Sequence, residues 1–248
     1  MSRIRKTVLA VVTLITLSLA AHVALADLTF DVGGLSTWTP LPPTCVTIQT
    51  LLPGLAPTTP PNFALLSNAG IRQCNLIQGD VATDGILLSP TLLPGTRLEV
   101  DLAFLTNEIG SGPLFNDTAE VFLEVLPTMT GPGAPIGSSQ IRKIVQFSRN
   151  MLQPGGSGAL SPGAIPGQGG FSAGSGVHPY SLPVDEFKGQ RIFLTFTVRN
   201  AVDTAVASAL YVDSVRLVGG YYDSDGVYHE ITYYPEPASH EQDPRREQ

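Results

Sequence analysis

The residues of this chain whose types and spacing could do chemistry are few and scattered. Gly170-Phe171-Ser172-Ala173-Gly174 matches G-x-S-x-G, the turn that lifts a nucleophilic serine to the top of an α/β sheet. That turn works between a strand and a helix. Here a Gly-rich, nearly uncharged stretch surrounds it, and beyond residue 26 the only histidines are His178, His229 and His240. A glycoside hydrolase needs two carboxylates about 5–10 Å apart. Asp101, Glu108, Asp117, Glu120 and Asp185 could supply them, but no spacing singles out a pair. Asp223-Ser224-Asp225-Gly226 opens like a calcium loop, yet Tyr228 and His229 interrupt the ligand steps and Glu230 arrives too early for the closing bidentate Glu. A hairpin turn on Asp-Gly between Tyr221-Tyr222 and Val227-Tyr228 reads better. No catalytic residue is assigned from the sequence.

Asn107, Glu108, Asn116 and Asp117 flank a Gly-containing loop between two apolar runs. They suit an oxygen-rich rim, but turn chemistry explains them more simply, because Asn and Asp side chains bond nearby backbone. Asn116-Asp117-Thr118 also fits an N-glycosylation sequon. Asp213 stands inside an apolar run, where a buried carboxylate needs a partner. By alternation Leu210, Val212 and Ser214 face one way, and Tyr211, Asp213 and Val215 the other. Trp38 is the single tryptophan. A position early in a sandwich suits core filling better than ligand stacking. Tyr180, Tyr211, Tyr221 and Tyr222 are the alternative stacking residues, and the ligand-binding residues stay unassigned.

The elements that must hold these residues are strands. Arg97-Leu98-Glu99-Val100-Asp101-Leu102-Ala103-Phe104 alternates with period two, turning Leu98, Val100, Leu102 and Phe104 to a core. The stretches 119–126, 191–198 and 210–218 read as further strands, with shorter ones at 28–31, 45–51, 63–67, 85–88 and 141–147. Gly, Pro, Asn and Asp punctuate them, and no long 3.6-residue period occurs after residue 26. The pattern predicts an all-β fold, an antiparallel two-sheet β-sandwich of jelly-roll type. Residues 153–176 form a Gly/Pro-rich loop over one face or edge.

Arg3, Arg5 and Lys6, the uncharged apolar run Val8 to Ala20, and Ala24-Leu25-Ala26 before Asp27 follow the order of a secretory signal peptide. The chain is therefore expected to be exported: periplasmic, cell-surface or secreted, with no stable membrane span once the signal is cleaved. Without residues 1–26 it carries 11 basic and 21 acidic residues, a net charge of −10. Nucleic acid and anionic membranes repel such a chain. Cys45 and Cys74 are the only cysteines. In an exported chain an even pair is most simply one disulfide. A closed loop of about 30 residues restricts the unfolded state by roughly 3.5 kcal/mol.

Several segments together resemble a family of exported bacterial β-sandwich proteins of the PEP-CTERM type. They are 30–38, 62–67, 104–108 with 115–121, and 208–217, covering roughly residues 27 to 218. The domain of that family is similar to galactose-binding-like carbohydrate-binding jelly rolls. The resemblance implies a final strand beside the first and a structural Ca²⁺ bridging them, with Asp31 and Asp213 as its oxygen ligands. Pro235-Glu236-Pro237 looks like the family's sorting motif, but no apolar helix follows it, so it reads equally as chance.

The expected organisation is a signal peptide at 1–26, a β-sandwich at 27–218, a hairpin at 219–232 and a disordered polar tail at 233–248. The leading function is a non-catalytic module of the cell surface or extracellular matrix that binds polysaccharide. A structural or adhesive matrix component without a discrete ligand, and a secreted polysaccharide hydrolase, remain the alternatives.

Overall fold

The computed structural model describes Phe30 and residues 34–78, 86–87, 95–108, 116–126, 140–148, 164–187, 190–202, 204–222 and 228–233. The expected signal peptide, Asp31, the turn at 223–227 and the Pro235-Glu236-Pro237 tail lie outside them. Among the described residues there is no α-helix, only strands and short 3₁₀ turns, and no helix is long and apolar enough to cross a membrane.

Among the described residues fourteen strands form two antiparallel sheets. The six-stranded sheet runs β1 (Trp38–Leu41), β4 (Gln73–Gln78), β12 (Arg191–Arg199), β7 (Thr118–Val125) and β8 (Gln140–Ser148), with β5 (Ile86–Leu87) also on β12. The eight-stranded sheet runs β2 (Val46–Gln49), β3 (Phe63–Ser67), β13 (Ser208–Tyr222), β6 (Arg97–Thr106), β10 (Ala173–Gly174) and β9 (Ile165–Pro166). There β11 (His178–Pro183) also pairs with β6, and β14 (Tyr228–Tyr233) with β13. The antiparallel two-sheet sandwich is the expected fold class.

Alternation builds the core between the sheets. Leu98, Val100, Leu102 and Phe104 of β6 meet Ile192, Leu194, Phe196 and Val198 of β12, and Ala119, Val121, Leu123 and Val125 of β7 join them. Every second residue of these strands faces one side of its sheet, so burial of one set fixes the register. Trp38 is buried here with its ring centroid 5.7 Å from Phe30 and 5.5 Å from Phe196, the core role its position suggests. Phe30 sits in a bend rather than a strand; the rest of the expected strand at 28–31 lies outside the described residues. Cys45 and Cys74 form the disulfide. It ties the start of the eight-stranded sheet at β2 to β4 of the six-stranded sheet, so it staples the two layers together.

One expectation changes. Val215 packs in the inter-sheet core with Leu210 and Val212, not with Tyr211 and Asp213. The alternation breaks because β13 carries a bulge between Asp213 and Arg216, where Ser214 takes a left-handed backbone with φ 53°. A bulge adds one residue and reverses the facing of everything after it. β13 lies between β3 and β6; the expected partner strand at 28–31, with Asp31, lies outside the described residues.

Candidate functional site

The outer faces of the two sheets are built differently, and that difference locates the site. On the eight-stranded sheet the outward residues Ala103, Leu105, Ala209 and Tyr211 are buried. Leu52, Leu55, Phe63, Phe171 and Val177 pack over them from β3, the 52–55 turn and the 164–177 segment. Phe63 and Tyr211 lie 4.6 Å apart, centroid to centroid. The Gly-rich segment thus closes one face as a small second core, and Tyr211 is part of its floor.

Asp213 continues that covering layer. Its buried carboxylate accepts from the Thr58 amide (2.6 Å), the Thr59 amide (3.1 Å), the Ser214 amide (2.7 Å) and the Tyr211 hydroxyl (2.9 Å). The Thr58 hydroxyl lies 3.0 Å from Asp213 Oδ2 and 2.7 Å from Asp101 Oδ2, between the two in-register aspartates. Burial, and then the Asp213 charge, push the Tyr211 phenol well above its ordinary range. Ca²⁺ needs six to eight oxygens with lone pairs turned to the ion. The Asp213 oxygens face three backbone N–H groups, which repel a cation. The residues at Asp213 therefore do not fit the implied Ca²⁺; they form a hydrogen-bonded clip on the 58–59 segment. Among the described residues no three of His, Cys, Asp and Glu cluster as a metal site.

The G-x-S-x-G segment has no strand–helix context. Exposed Ser172 donates its amide to Asn107 Oδ1 (2.8 Å), with its hydroxyl 3.3 Å from the same atom, while His178 Nε2 meets the Ser175 carbonyl (2.7 Å). The glycines have structural reasons: Gly170 has φ +83°, and a Cβ on Gly174 would collide with Gln168 Oε1. Glu108 and Asp117 enter a buried network at one end of the sandwich. Asp117 donates its amide to Glu108 Oε2 (2.9 Å), and Asp117 accepts from Asn68 Nδ2 (2.8 Å) and the Ala201 amide (3.0 Å). Asp185 accepts from the Gly95 amide (3.1 Å). Asp101 and Glu120 stand on opposite outer faces. The structure thus brings Glu108 and Asp117 together in one buried network and places Asp101, Glu120 and Asp185 apart from it. His229, Tyr221 and Tyr222 lie on strands whose side chains are outside the described residues, as is His240.

On the outer face of the six-stranded sheet Phe193, Thr197 and Glu120 are buried, Asn75, Thr195 and Phe122 are half-buried, and Lys143, Gln146 and Arg199 are exposed. Asn75, Thr197, Glu120 and Gln146 stand opposite one another in register across β4, β12, β7 and β8. At an interstrand spacing of about 4.8 Å the row is about 14 Å long. The adjacent row is Ile77, Thr195, Phe122 and Lys143. Asn75 Oδ1 accepts from Gln73 Nε2 (2.8 Å) and from the Thr197 hydroxyl (2.9 Å). Lys143 Nζ pairs with the buried Glu120 carboxylate, lies 3.3 Å from Gln146 Oε1, and stands 5.7 Å from the Phe122 centroid. Phe122 is half-buried, leaving part of its ring at the surface. The face therefore offers amide, hydroxyl and carboxylate groups around one aromatic ring. None was singled out from sequence apart from Glu120 as a loose carboxylate. The signal that could have found them is the alternation of Gln73 and Asn75 around Cys74, and of Glu120 and Phe122 around Val121.

No protein-family model and no curated protein matches the chain. Among solved structures it is similar to TmCBM61, solved in complex with beta-1,4-galactotriose, at 13% identity over 78% of this chain and 96% of that one, TM-score 0.41. It is also similar to a carbohydrate-binding module structure from the β-sandwich superfamily, at 12% identity over 77% and 60%, TM-score 0.40. A xylan-binding domain from CBM 22 follows at 14% identity over 78% and 96%, TM-score 0.33. At these TM-scores the likeness says nothing about which residues bind.

Proposed function

We propose that this protein is a non-catalytic glycan-binding module whose ligand lies on the outer face of the six-stranded sheet. One observation carries the reading: that face holds an in-register row of hydrogen-bonding side chains beside Phe122, while the opposite outer face is sealed by its own apolar layer. Sugars are recognised by a ring that stacks on their C–H face and by planar amides and carboxylates that bond their hydroxyls. The row supplies both kinds of contact on rigid strands, which costs little ordering on binding. Export to the cell surface or matrix, as the N-terminal segment suggests, would bring it to such polymers.

A glycan array probed with residues 27 to 248 tests this. Binding that weakens at least tenfold in Phe122→Ala, about 1.4 kcal/mol, with the melting temperature kept, is the expected result. Retained binding in Phe122→Ala, or binding to no glycan at all, would remove the proposal.

A further inference from the structure

The placement of charge points to the kind of glycan this face selects, an inference that rests on the glycan-binding reading above. Among the described residues most cations are engaged. Arg97 and Arg216 hold Glu99, Arg142 pairs with Glu186, and Lys143 covers Glu120. Arg191 has a partner as well. Arg72 and Arg199 are left. Both are exposed, and among the described residues neither guanidinium is in an ion pair.

The two stand together. Arg199 ends β12 and lies in register between Gln73 of β4 and Thr118 of β7. Val198 faces the core, so Arg199 shares the outer face with Thr197. Arg72 directly precedes β4, and its carbonyl accepts from the Asn200 amide at 2.9 Å. Like charges on neighbouring strands repel, and the carboxylates of this end do not offset them. Asp117 is buried and accepts from Asn68 Nδ2 and the Ala201 amide. Glu120 is taken by Lys143.

The neighbours of Arg199 suit an anion. Thr118 and Ser148 continue its row with hydroxyls. In the next row Asn75 Oδ1 accepts from Gln73 Nε2 at 2.8 Å and from the Thr197 hydroxyl at 2.9 Å. An amide whose oxygen is pinned has its NH₂ donors fixed as well, since the two lie in one plane. A guanidinium receives a carboxylate or sulfate through two parallel N–H···O bonds. Beyond residue 26 the chain holds 21 acidic residues against 11 basic ones, so its overall field repels a polyanion. A preference for acidic ligands must therefore come from a local site. Phe122 lies four residues beyond Thr118 on β7, about 14 Å along the strand. That separation suits a short run of sugars lying along the strands.

We infer that Arg199, reinforced by the charge of Arg72, is an anion-recognising residue of this face, and that the ligand is an acidic glycan whose carboxylate or sulfate sits on the Arg199 guanidinium while another of its rings stacks on Phe122.

The test uses polymers that share a backbone and differ in charge: polygalacturonate against its methyl ester for carboxylate, and dextran sulfate against dextran for sulfate. Wild-type protein is expected to bind at least one acidic member at least tenfold more tightly than its neutral counterpart, with the preference shrinking as salt is raised. Arg199→Gln is expected to lose at least tenfold on that member with a melting temperature within about 3 °C of wild type. Arg199→Lys keeps the charge but not the two-pronged geometry, and is expected to fall between the two. Arg142→Gln removes one positive charge from β8 at the edge of the same sheet and serves as the control. Equal losses in Arg142→Gln and Arg199→Gln would reduce the preference to diffuse charge and overturn the role of Arg199. Phe122-dependent binding that acidic groups do not improve would overturn the acidic-ligand inference and leave the glycan-binding reading standing. Binding to none of these polymers and to no glycan on the array would overturn both.

Discussion

Replacing Asp213 by Asn tests whether hydrogen bonds, rather than an ion, hold the 58–59 segment to the sandwich. The carboxylate takes three backbone amides and the Tyr211 hydroxyl. Asparagine can keep one oxygen for the Thr58, Thr59 and Tyr211 donors, but its NH₂ then faces the Ser214 amide. Leaving that buried N–H unsatisfied costs about 1–3 kcal/mol, and turning charged hydrogen bonds into neutral ones costs roughly 1 kcal/mol each. Relief of repulsion works the other way. Asp101 Oδ2 and Asp213 Oδ2 reach the same Thr58 hydroxyl, at 2.7 and 3.0 Å, so the two charges are close. Asp101 is partly exposed, and in water-like screening the gain is only about 1 kcal/mol. The net loss is about 3–5 kcal/mol, or about 6–20 °C in melting temperature for a domain of this size. Differential scanning calorimetry reads it directly. Tyr211→Phe, which removes one donor, is expected to cost only about 1 kcal/mol. EDTA and added Ca²⁺ are expected to leave the wild-type melting curve where it is. A melting temperature of Asp213→Asn within about 3 °C of wild type, or a wild-type curve that falls with EDTA and recovers with Ca²⁺, would refute the clip.

Three further outcomes follow from the same structure. Burial raises the Glu99 pKa, but hydrogen bonds and charge from Arg97 and Arg216 outweigh it and hold the carboxyl below its ordinary range. A depressed folded-state pKa contributes stability above the unfolded value that is lost as pH falls through the folded one. Glu99→Gln is thus expected to flatten the acid limb of stability below about pH 4.5, measured by urea unfolding at stepped pH. Tyr180 and Tyr211 are pushed up, by burial in the first and by burial and then Asp213 in the second. Groups raised in this way lose their contribution as pH climbs above the unfolded value. Tyr211→Phe is expected to reduce alkaline destabilisation above about pH 10, with the late tyrosine step missing from a 295 nm titration of the variant. The Cys45–Cys74 bond joins the two layers across a sequence separation of 29 residues. Cys45→Ala with Cys74→Ala is expected to cost about 3 kcal/mol in urea unfolding. Both sulfurs are buried, so reductant added to the folded protein should act only at the rate of unfolding.

The long strands were legible because their patterns are regular. Leu98 to Phe104 and Ile192 to Val198 alternate without interruption, and each strand forms with the expected residues inward. Legibility failed where a local departure resets the pattern. The bulge at Ser214 leaves no mark in composition, since serine is not a residue that advertises a left-handed backbone, and so Val215 was assigned to the wrong side. Strand β4 has no clear mark in the sequence, because its six residues with Gln73 and Asn75 outward are too short and polar to show a regular alternation. Strand β11 was missed because Pro179 and Pro183 argue against a strand, and proline is tolerated there only at an edge. The candidate site is a property of register. Asn75, Thr197, Glu120 and Gln146 are drawn from four strands, with Asn75 and Thr197 122 residues apart, and nothing local in the sequence brings them into line.

The most direct test is a heteronuclear NMR titration of the protein with an oligosaccharide taken from the array. Amide shifts concentrated at residues 73–77, 118–124, 143–146 and 193–199 are expected, with the 52–63 and 164–177 layer unmoved. Shifts confined to that opposite layer, or spread over the end network of Asn68, Glu108 and Asp117, would contradict the assignment of the six-stranded sheet as the binding face.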